Sequence, residues 1–268
     1  MRDADLELEA ELEAFVSQLA ESLESEYESE YEWEGMAAQG SRCTPAGTRV
    51  GTFTCSDAER ANIENLLSMS IPPATLKAAV ESAAAGAVSL ATRAATALDR
   101  SNRSDVVRST FCEAFGVTPE FVPPWRATLR GVVRWRDLGE LVAIRLRDVA
   151  KIVDGGCIHY SCWITAGHCP DCGGVNAAGV YACSDFHGRY LICLGGLFWQ
   201  RWQSGDTTTT QSTILHEALH IYFKTTVGDQ GRSGNANCYE RFAVRLQNLP
   251  LHPDTAANCA AGACAISP

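Results

Sequence analysis

The residues best suited to chemistry lie in the short sequence HEALH. His216 and His220 are four positions apart, so on a helix both imidazoles project from one face, with Glu217 close beside them. Neutral imidazoles bind zinc, and a neighbouring carboxylate can take a proton from the water that such a metal activates. The spacing therefore predicts a zinc (Zn2+) site in which Glu217 is the general base.

A catalytic zinc site needs a third protein ligand and an open position for water or substrate. The metzincin pattern does not apply, because Thr226 stands six residues beyond His220, where that pattern has histidine. Two carboxylates remain. Asp229 follows Gly228, where a turn can return the chain to the metal, and Glu240 lies about where thermolysin-like enzymes place their glutamate ligand. The residues alone leave both candidates open.

The elements that must position these residues are mostly helical. The sequence Ser56-Asp57-Ala58-Glu59 is a capping box, which predicts a helix through about Leu67. Within the Ala-rich stretch 74–99, apolar residues at helical spacing predict a stripe of core packing: Leu76, Val80, Val88, Ala91, Ala95 and Leu98. Further helices are predicted over 104–115, 211–224, which carries HEALH, and 235–248.

Strand patterns are confined to one region. The sequences GVYACSD and RYLICLG alternate on either side of His187-Gly188, which predicts a β-hairpin over about 179–194. The cysteine-rich segment 157–177 is predicted to be a loop. The fold class expected is α+β, mostly helical, with a small antiparallel sheet or hairpin beside the HEALH helix.

The acidity of the chain belongs to its first residues. The net charge is −10, yet residues 1–35 hold thirteen Asp and Glu and one Arg, which leaves +2 for the remainder. Residues 5–23 have the pattern of an acidic amphipathic helix, and the following Glu-rich run buries little apolar surface. Two regions are therefore predicted: 1–50, an acidic leader or a pro or export segment, largely non-globular, and 51–268, the zinc domain.

Charge and hydropathy also limit the partners. Lys and Arg form no basic stripe, so nucleic acid is excluded as an expected partner. No apolar run is long enough to span a bilayer, and the first residues lack the basic and apolar regions of an ordinary secretory signal. The expected partners are protein or peptide substrates, and the expected state is a monomer.

Twelve cysteines are scattered through the chain, at 43, 55, 112, 157, 162, 169, 172, 183, 193, 238, 259 and 264. An even, dispersed set predicts disulfides and an oxidising, extracellular compartment. A structural zinc built on the Cys169–Cys172 pair is the less favoured alternative, because the chain has a single CxxC. A thiol nucleophile at Cys169 is not expected, since its neighbour His168 would point away from it.

Several segments resemble the aspzincins, the deuterolysin and peptidyl-lysine metalloendopeptidases. They are HEALH with Asp229 nine residues later, RYLICLGGLFW before that helix, NANCYERFA after it, and GTFTCSDAER near residue 50. The resemblance covers about residues 50–248 and is densest over 189–243. It implies a zincin-like fold with Asp229 as the third ligand. It also implies that Cys55 pairs with Cys157 or Cys162, and Cys193 with a cysteine in 169–183.

Two positions depart from that family. Arg232 stands where a tyrosine that helps to stabilise the tetrahedral intermediate is expected, and its guanidinium could donate to an oxyanion in place of that tyrosine. In lysine-specific members an Asp and a Glu line the pocket for the residue after the scissile bond. Here Asn237 replaces the Asp while Glu240 remains, so a preference for Lys or another basic residue is expected to be weaker.

The expected function is that of a secreted zinc endopeptidase that hydrolyses internal peptide bonds, with Glu217 acting first as base and then as acid. Three alternatives stay open. The domain could be an inactive, metal-stabilised binding module, or a gluzincin-type protease with Glu240 as third ligand. It could also be a protease delivered as an effector.

Overall fold

The computed structural model describes residues 52–123, 126, 135–172, 175–185, 190–223, 234–251 and 253–259, and most of these residues are in helices. The predicted leader, including the helix over 5–23, lies outside these residues, as do Asp229 and Arg232. The described helices are α1 (Asp57–Leu67), α2 (Pro73–Ala97), α3 (Asp105–Phe115), α4 (Leu138–Asp154), α5 (Gly196–Gln203), α6 (Thr207–Phe223), α7 (Ala236–Arg245) and α8 (Pro253–Asn258). The strands are β1 (Phe53–Thr54), β2 (His159–Ser161), β3 (Ala182–Asp185) and β4 (Leu191–Leu194).

The first helix begins where its capping residues predict. The Ser56 hydroxyl accepts a hydrogen bond from the Glu59 amide at 3.2 Å, and the Ser56 amide donates to the Glu59 carboxylate at 2.7 Å. Both halves of the capping box are present, and α1 ends at Leu67 as expected. Ser104 likewise caps α3, accepting from the Val107 amide. Local side-chain hydrogen bonds therefore set these boundaries.

Helix α2 forms the support on which the HEALH helix packs. Its predicted stripe is confirmed, with Leu76, Val80, Ala91 and Ala95 fully buried, although Val88 is half-buried at the edge of the core. The small side chains allow close approach to α6. A Cβ at Gly86 would overlap the side chain of Gln211 in α6, so the glycine leaves room for the present position of that side chain.

Helix α4 was not predicted, and a buried ion pair fixes its start. Asp137 caps α4 by accepting from the Glu140 amide at 2.9 Å. The same carboxylate forms two hydrogen bonds with the guanidinium of Arg103, at 2.8 and 3.0 Å, and both side chains are almost completely buried. Burial alone opposes the charged carboxylate, but hydrogen bonds from Arg103 and the Glu140 amide, with the charges of Arg103 and Arg100, lower the pKa of Asp137 below 3.8.

Replacing Arg103 with Met is expected to destabilise the protein by about 3 kcal/mol at pH 7, because it leaves a buried carboxylate without its main partner. The value lies at the low end of the range for broken buried pairs, since Arg100 still reaches Asp137 at 2.9 Å. A carboxyl whose pKa is lower in the folded protein stabilises the fold at pH values above its pKa in the unfolded chain. This stabilisation is lost as the pH falls through the folded-state pKa. The difference between the proteins should therefore shrink below pH 3.8.

Urea unfolding at pH 7 and pH 3 measures this difference. Arg93→Met is the matched control, since Arg93 is exposed and its guanidinium donates to the side chain of Gln247. If Arg103→Met lowers the free energy of unfolding at pH 7 no more than this control does, the assigned role of the ion pair is contradicted.

The sheet confirms the predicted hairpin and corrects the predicted sheet type. Strands β3 and β4 pair antiparallel, with Cys183 opposite Cys193. The sheet is nevertheless mixed, in the order β1-β2-β4-β3, because β1 and β4 both pair with β2 in parallel. The expectation of a wholly antiparallel sheet was wrong, as was that of an unbroken loop over 157–177. A strand of three residues is too short to show alternation, and its partners are distant in sequence.

Disulfides link the sheet to the segments around it. Cys55–Cys162 joins the ends of β1 and β2, and Cys169–Cys193 ties the cysteine-rich segment to β4, so both pairings implied by the resemblance are confirmed. Two further bonds are Cys172–Cys183 and Cys238–Cys259. The two cysteines of the CxxC thus belong to separate disulfides. Their thiols are not available as zinc ligands, and Cys169 is not available as a nucleophile.

Candidate metal and catalytic site

Helix α6 carries HEALH and is held in the core. It begins at Thr207, four residues earlier than predicted, because Asp206 caps it: the carboxylate accepts from the amide and the hydroxyl of Thr209 at 3.0 and 2.7 Å. Four apolar residues that flank the histidines are fully buried: Ile214, Leu215, Leu219 and Ile221. This packing restrains rotation of α6 about its axis and so fixes the direction in which the two histidines point.

The two histidines converge through the same ring nitrogen. The Nε2 atoms of His216 and His220 are 2.9 Å apart, and the rings meet edge to face with centroids 4.6 Å apart. Two lone pairs at this distance would repel each other. One ring must therefore donate a proton to the other, or a cation must lie between them.

The nitrogen positions fit a single zinc ion. Zinc–imidazole bonds are about 2.0–2.1 Å long, so two nitrogens 2.9 Å apart can both reach one ion. Within the described residues no group of three or more His, Cys, Asp or Glu side chains surrounds a common point. The pair is thus two parts of a possible ligand set. The predicted third ligand, Asp229, lies outside the described residues.

Glu240 lies on the opposite side of the His216 ring from this convergence point. Its Oε2 atom is 3.1 Å from Nδ1 of His216 and also accepts a hydrogen bond from the Thr255 hydroxyl at 2.7 Å. A carboxylate at Nδ1 favours the tautomer with the proton on that nitrogen, which leaves the lone pair of Nε2 directed at the convergence point. Glu240 is thereby engaged as a partner of the ring at the nitrogen that does not face His220.

The charge of the site also favours a cation. Burial opposes the charged form of His216, but its hydrogen bond to the Glu240 carboxylate and the charges of Glu240 and Glu217 together raise the pKa of His216 above 6.5. Two carboxylates near two imidazoles thus give a site where positive charge is stabilised, whether it is a proton or a metal ion.

Glu217 is buried at the edge of the sheet. It is 7% exposed and lies beside Ser184 in β3, whose hydroxyl and amide both favour the charged form of its carboxylate. Burial raises the pKa of Glu217 above 4.5 more than the charge of His216 and the bonds from Ser184 lower it. A carboxyl in this environment accepts a proton more readily than an ordinary glutamate does.

Strand β3 directs its outer backbone groups toward this carboxylate. The ladder bond from the Gly195 amide to the Tyr181 carbonyl, at 2.7 Å, sets the alternation along the hairpin. Ser184, opposite Ile192, is then at a non-hydrogen-bonded position, so its N–H and C=O point away from β4. Within the described part of the sheet β3 is the edge strand, and its free side faces Glu217.

The structure thus brings together four of the predicted site residues: His216, Glu217, His220 and Glu240. Asn237 is also buried, one turn before Glu240 on α7. Its backbone N–H donates to the side-chain oxygen of Asn235 at 2.9 Å. Ser184 and Thr255 were missed by the sequence analysis. No spacing rule relates them to HEALH, because each contacts the site only through packing of separate elements.

Comparison with known proteins identifies no relative: no family model, no curated protein and no solved structure matches this chain. None of the helices in the described ranges has both the length and the apolar character needed to cross a membrane. The local geometry of the site therefore carries the functional conclusion.

Proposed function

We propose that this protein is an exported, zinc-dependent endopeptidase of the aspzincin type. The observation that carries the proposal is the convergence of the two Nε2 atoms at 2.9 Å, with the far nitrogen of His216 occupied by Glu240 and a buried carboxylate, Glu217, on the same helix. A site built only for structure has no need of this additional buried carboxylate.

In this proposal His216, His220 and Asp229 would hold the zinc ion. Zinc, when bound, lowers the pKa of a coordinated water and polarises a substrate carbonyl. Glu240 is held by His216 and Thr255, which supports Asp229 as the third metal ligand. A carboxylate held at Nδ1 of His216 is directed away from the point where the two Nε2 atoms converge. Arg232 keeps its proposed role as a donor to the oxyanion.

Glu217 transfers the proton. It takes one proton from water as the water oxygen attacks the carbonyl carbon, and it delivers that proton to the amide nitrogen as the C–N bond breaks. The products are a carboxylic acid and an amine, so one water is consumed for each bond. Burial suits this role, because it favours the protonated carboxyl that exists between the two transfers.

The edge strand suits an extended substrate. In the described part of the sheet β3 is an edge strand, and a peptide that lies along its outer side would run past Ser184 and so past Glu217; main-chain hydrogen bonds to a strand edge are independent of sequence. Such pairing supports cleavage of internal bonds in an extended chain. Lysine preference is not part of the proposal, since Glu240 is buried and already bonded to His216 and Thr255.

The disulfides support export. Four disulfides join described segments of the chain. Proteins with several disulfides are typical of oxidising compartments, where these bonds form and are not reduced.

Metal analysis combined with a casein digest tests the proposal. The purified protein is expected to contain one zinc ion per chain and to cleave casein, and a chelator should abolish cleavage until zinc is restored. If the protein contains zinc but does not cleave casein, it is a metal-stabilised binding module and not a protease. Absence of zinc from protein prepared without chelator, with no uptake on titration, would overturn the proposal.

A further inference from the structure

Behind His216 lies a second layer of buried hydrogen bonds. The Thr255 hydroxyl donates to Oε2 of Glu240 at 2.7 Å, and the same oxygen lies 3.1 Å from Nδ1 of His216. Glu240 and Thr255 are each 3% exposed. Because little solvent competes for these groups, the hydroxyl fixes which carboxylate oxygen faces the ring.

Thr255 is held in place by bonds between its own segment and the helix that carries Glu240. The disulfide Cys238–Cys259 links α7 to the residue after α8, and Arg241 donates to the Cys259 carbonyl at 2.7 Å. The Asn235 side chain also donates to the carbonyl of Asn258. These contacts keep the short α8 against α7, so the position of Thr255 relative to Glu240 does not depend on α8 alone.

We infer that Glu240 and Thr255 are positioning residues for His216, which they hold in the orientation and tautomer that direct Nε2 to the metal. The inference rests on the proposed function in that it takes zinc to be the ion. It differs from the expectation drawn from the family resemblance, in which Glu240 lines a substrate pocket. Neither residue touches the substrate in this assignment.

The effect of such partners on metal binding is measurable. Loss of a hydrogen-bond partner behind a metal-bound histidine typically weakens metal binding by about 10–100-fold. Glu240→Gln, which keeps the shape and removes the charge, is expected to raise the zinc Kd within this range. Thr255→Val keeps the volume and removes only the hydroxyl, so it is expected to raise the Kd by about tenfold, the lower end of the range.

Competition with a chromophoric chelator measures the zinc Kd of the full chain. Thr210→Val is the matched control, since Thr210 is a buried threonine of α6 whose hydroxyl bonds to the Thr207 carbonyl at 3.0 Å and not to Glu240. Its Kd should stay within about twofold of the wild-type value. Wild-type affinity in both Glu240→Gln and Thr255→Val would overturn the inference.

The tautomer of His216 gives a readout that needs no metal. In long-range ¹⁵N–¹H spectra of the metal-free protein at alkaline pH, the wild type should show the proton on Nδ1, and both variants should show a mixture of tautomers. If the wild type fails to bind zinc, the proposed function fails while this spectrum still decides the positioning role. An Nε2-protonated ring in the wild type, or an unchanged Nδ1 proton in both variants, would refute that role.

Discussion

Replacing Glu217 with Gln is expected to reduce peptide cleavage by about 10²–10⁴-fold while one zinc ion stays bound, because the amide cannot accept the proton of the attacking water. Gln has nearly the same volume as Glu, so the packing around α6 and the contact with Ser184 are largely kept. The loss should appear in kcat, since the proton transfer belongs to the chemical step. Initial rates on a fluorogenic peptide, with zinc measured on the same sample, determine it.

Glu81→Gln is the matched control. Glu81 is a half-exposed side chain on α2 that pairs with Lys77. This variant should cleave at the wild-type rate. Activity retained in Glu217→Gln, at the level of the Glu81→Gln protein, would exclude Glu217 as the base and with it the proposed mechanism.

Replacing Asp229 with Ala is expected to weaken zinc binding more than Glu240→Gln does, by more than about 100-fold. The reason is that the first variant removes a proposed ligand, whereas the second removes a hydrogen-bond partner of His216. Zinc competition titrations on the two proteins give the ranking directly. The reverse order, with Glu240→Gln losing the metal and Asp229→Ala keeping it, would assign the third position to Glu240 and the protein to the gluzincin type.

A histidine outside the site provides the control for this ranking. His168 lies 2.8 Å from the buried carboxylate of Glu59, and its side chain is 43% exposed. His168→Ala should leave the zinc content at one per chain, because Cys169 and Cys172 are engaged in disulfides. A loss of zinc from this variant would show that the metal is held elsewhere.

Prediction from sequence was most successful where the determining contacts are local. Ser56 and Glu59 are three residues apart and cap one helix, and Ser104 caps another in the same way. The hairpin of β3 and β4 follows from alternation in two adjacent segments. Prediction was weakest for β2, since a strand of three residues takes its place in the sheet from partners that are far away in the chain.

The sequence by itself determined that His216 and His220 share one face of a helix, since the helical repeat places residues four apart side by side. It did not determine which groups stand behind and beside that pair. The bond between His216 and the Glu240 carboxylate, the bond from the Thr255 hydroxyl to that carboxylate and the contact of Ser184 with Glu217 join separate elements. Only the packing of α7, α8 and β3 around α6 brings these groups together, because contacts between distant residues depend on how the whole core closes.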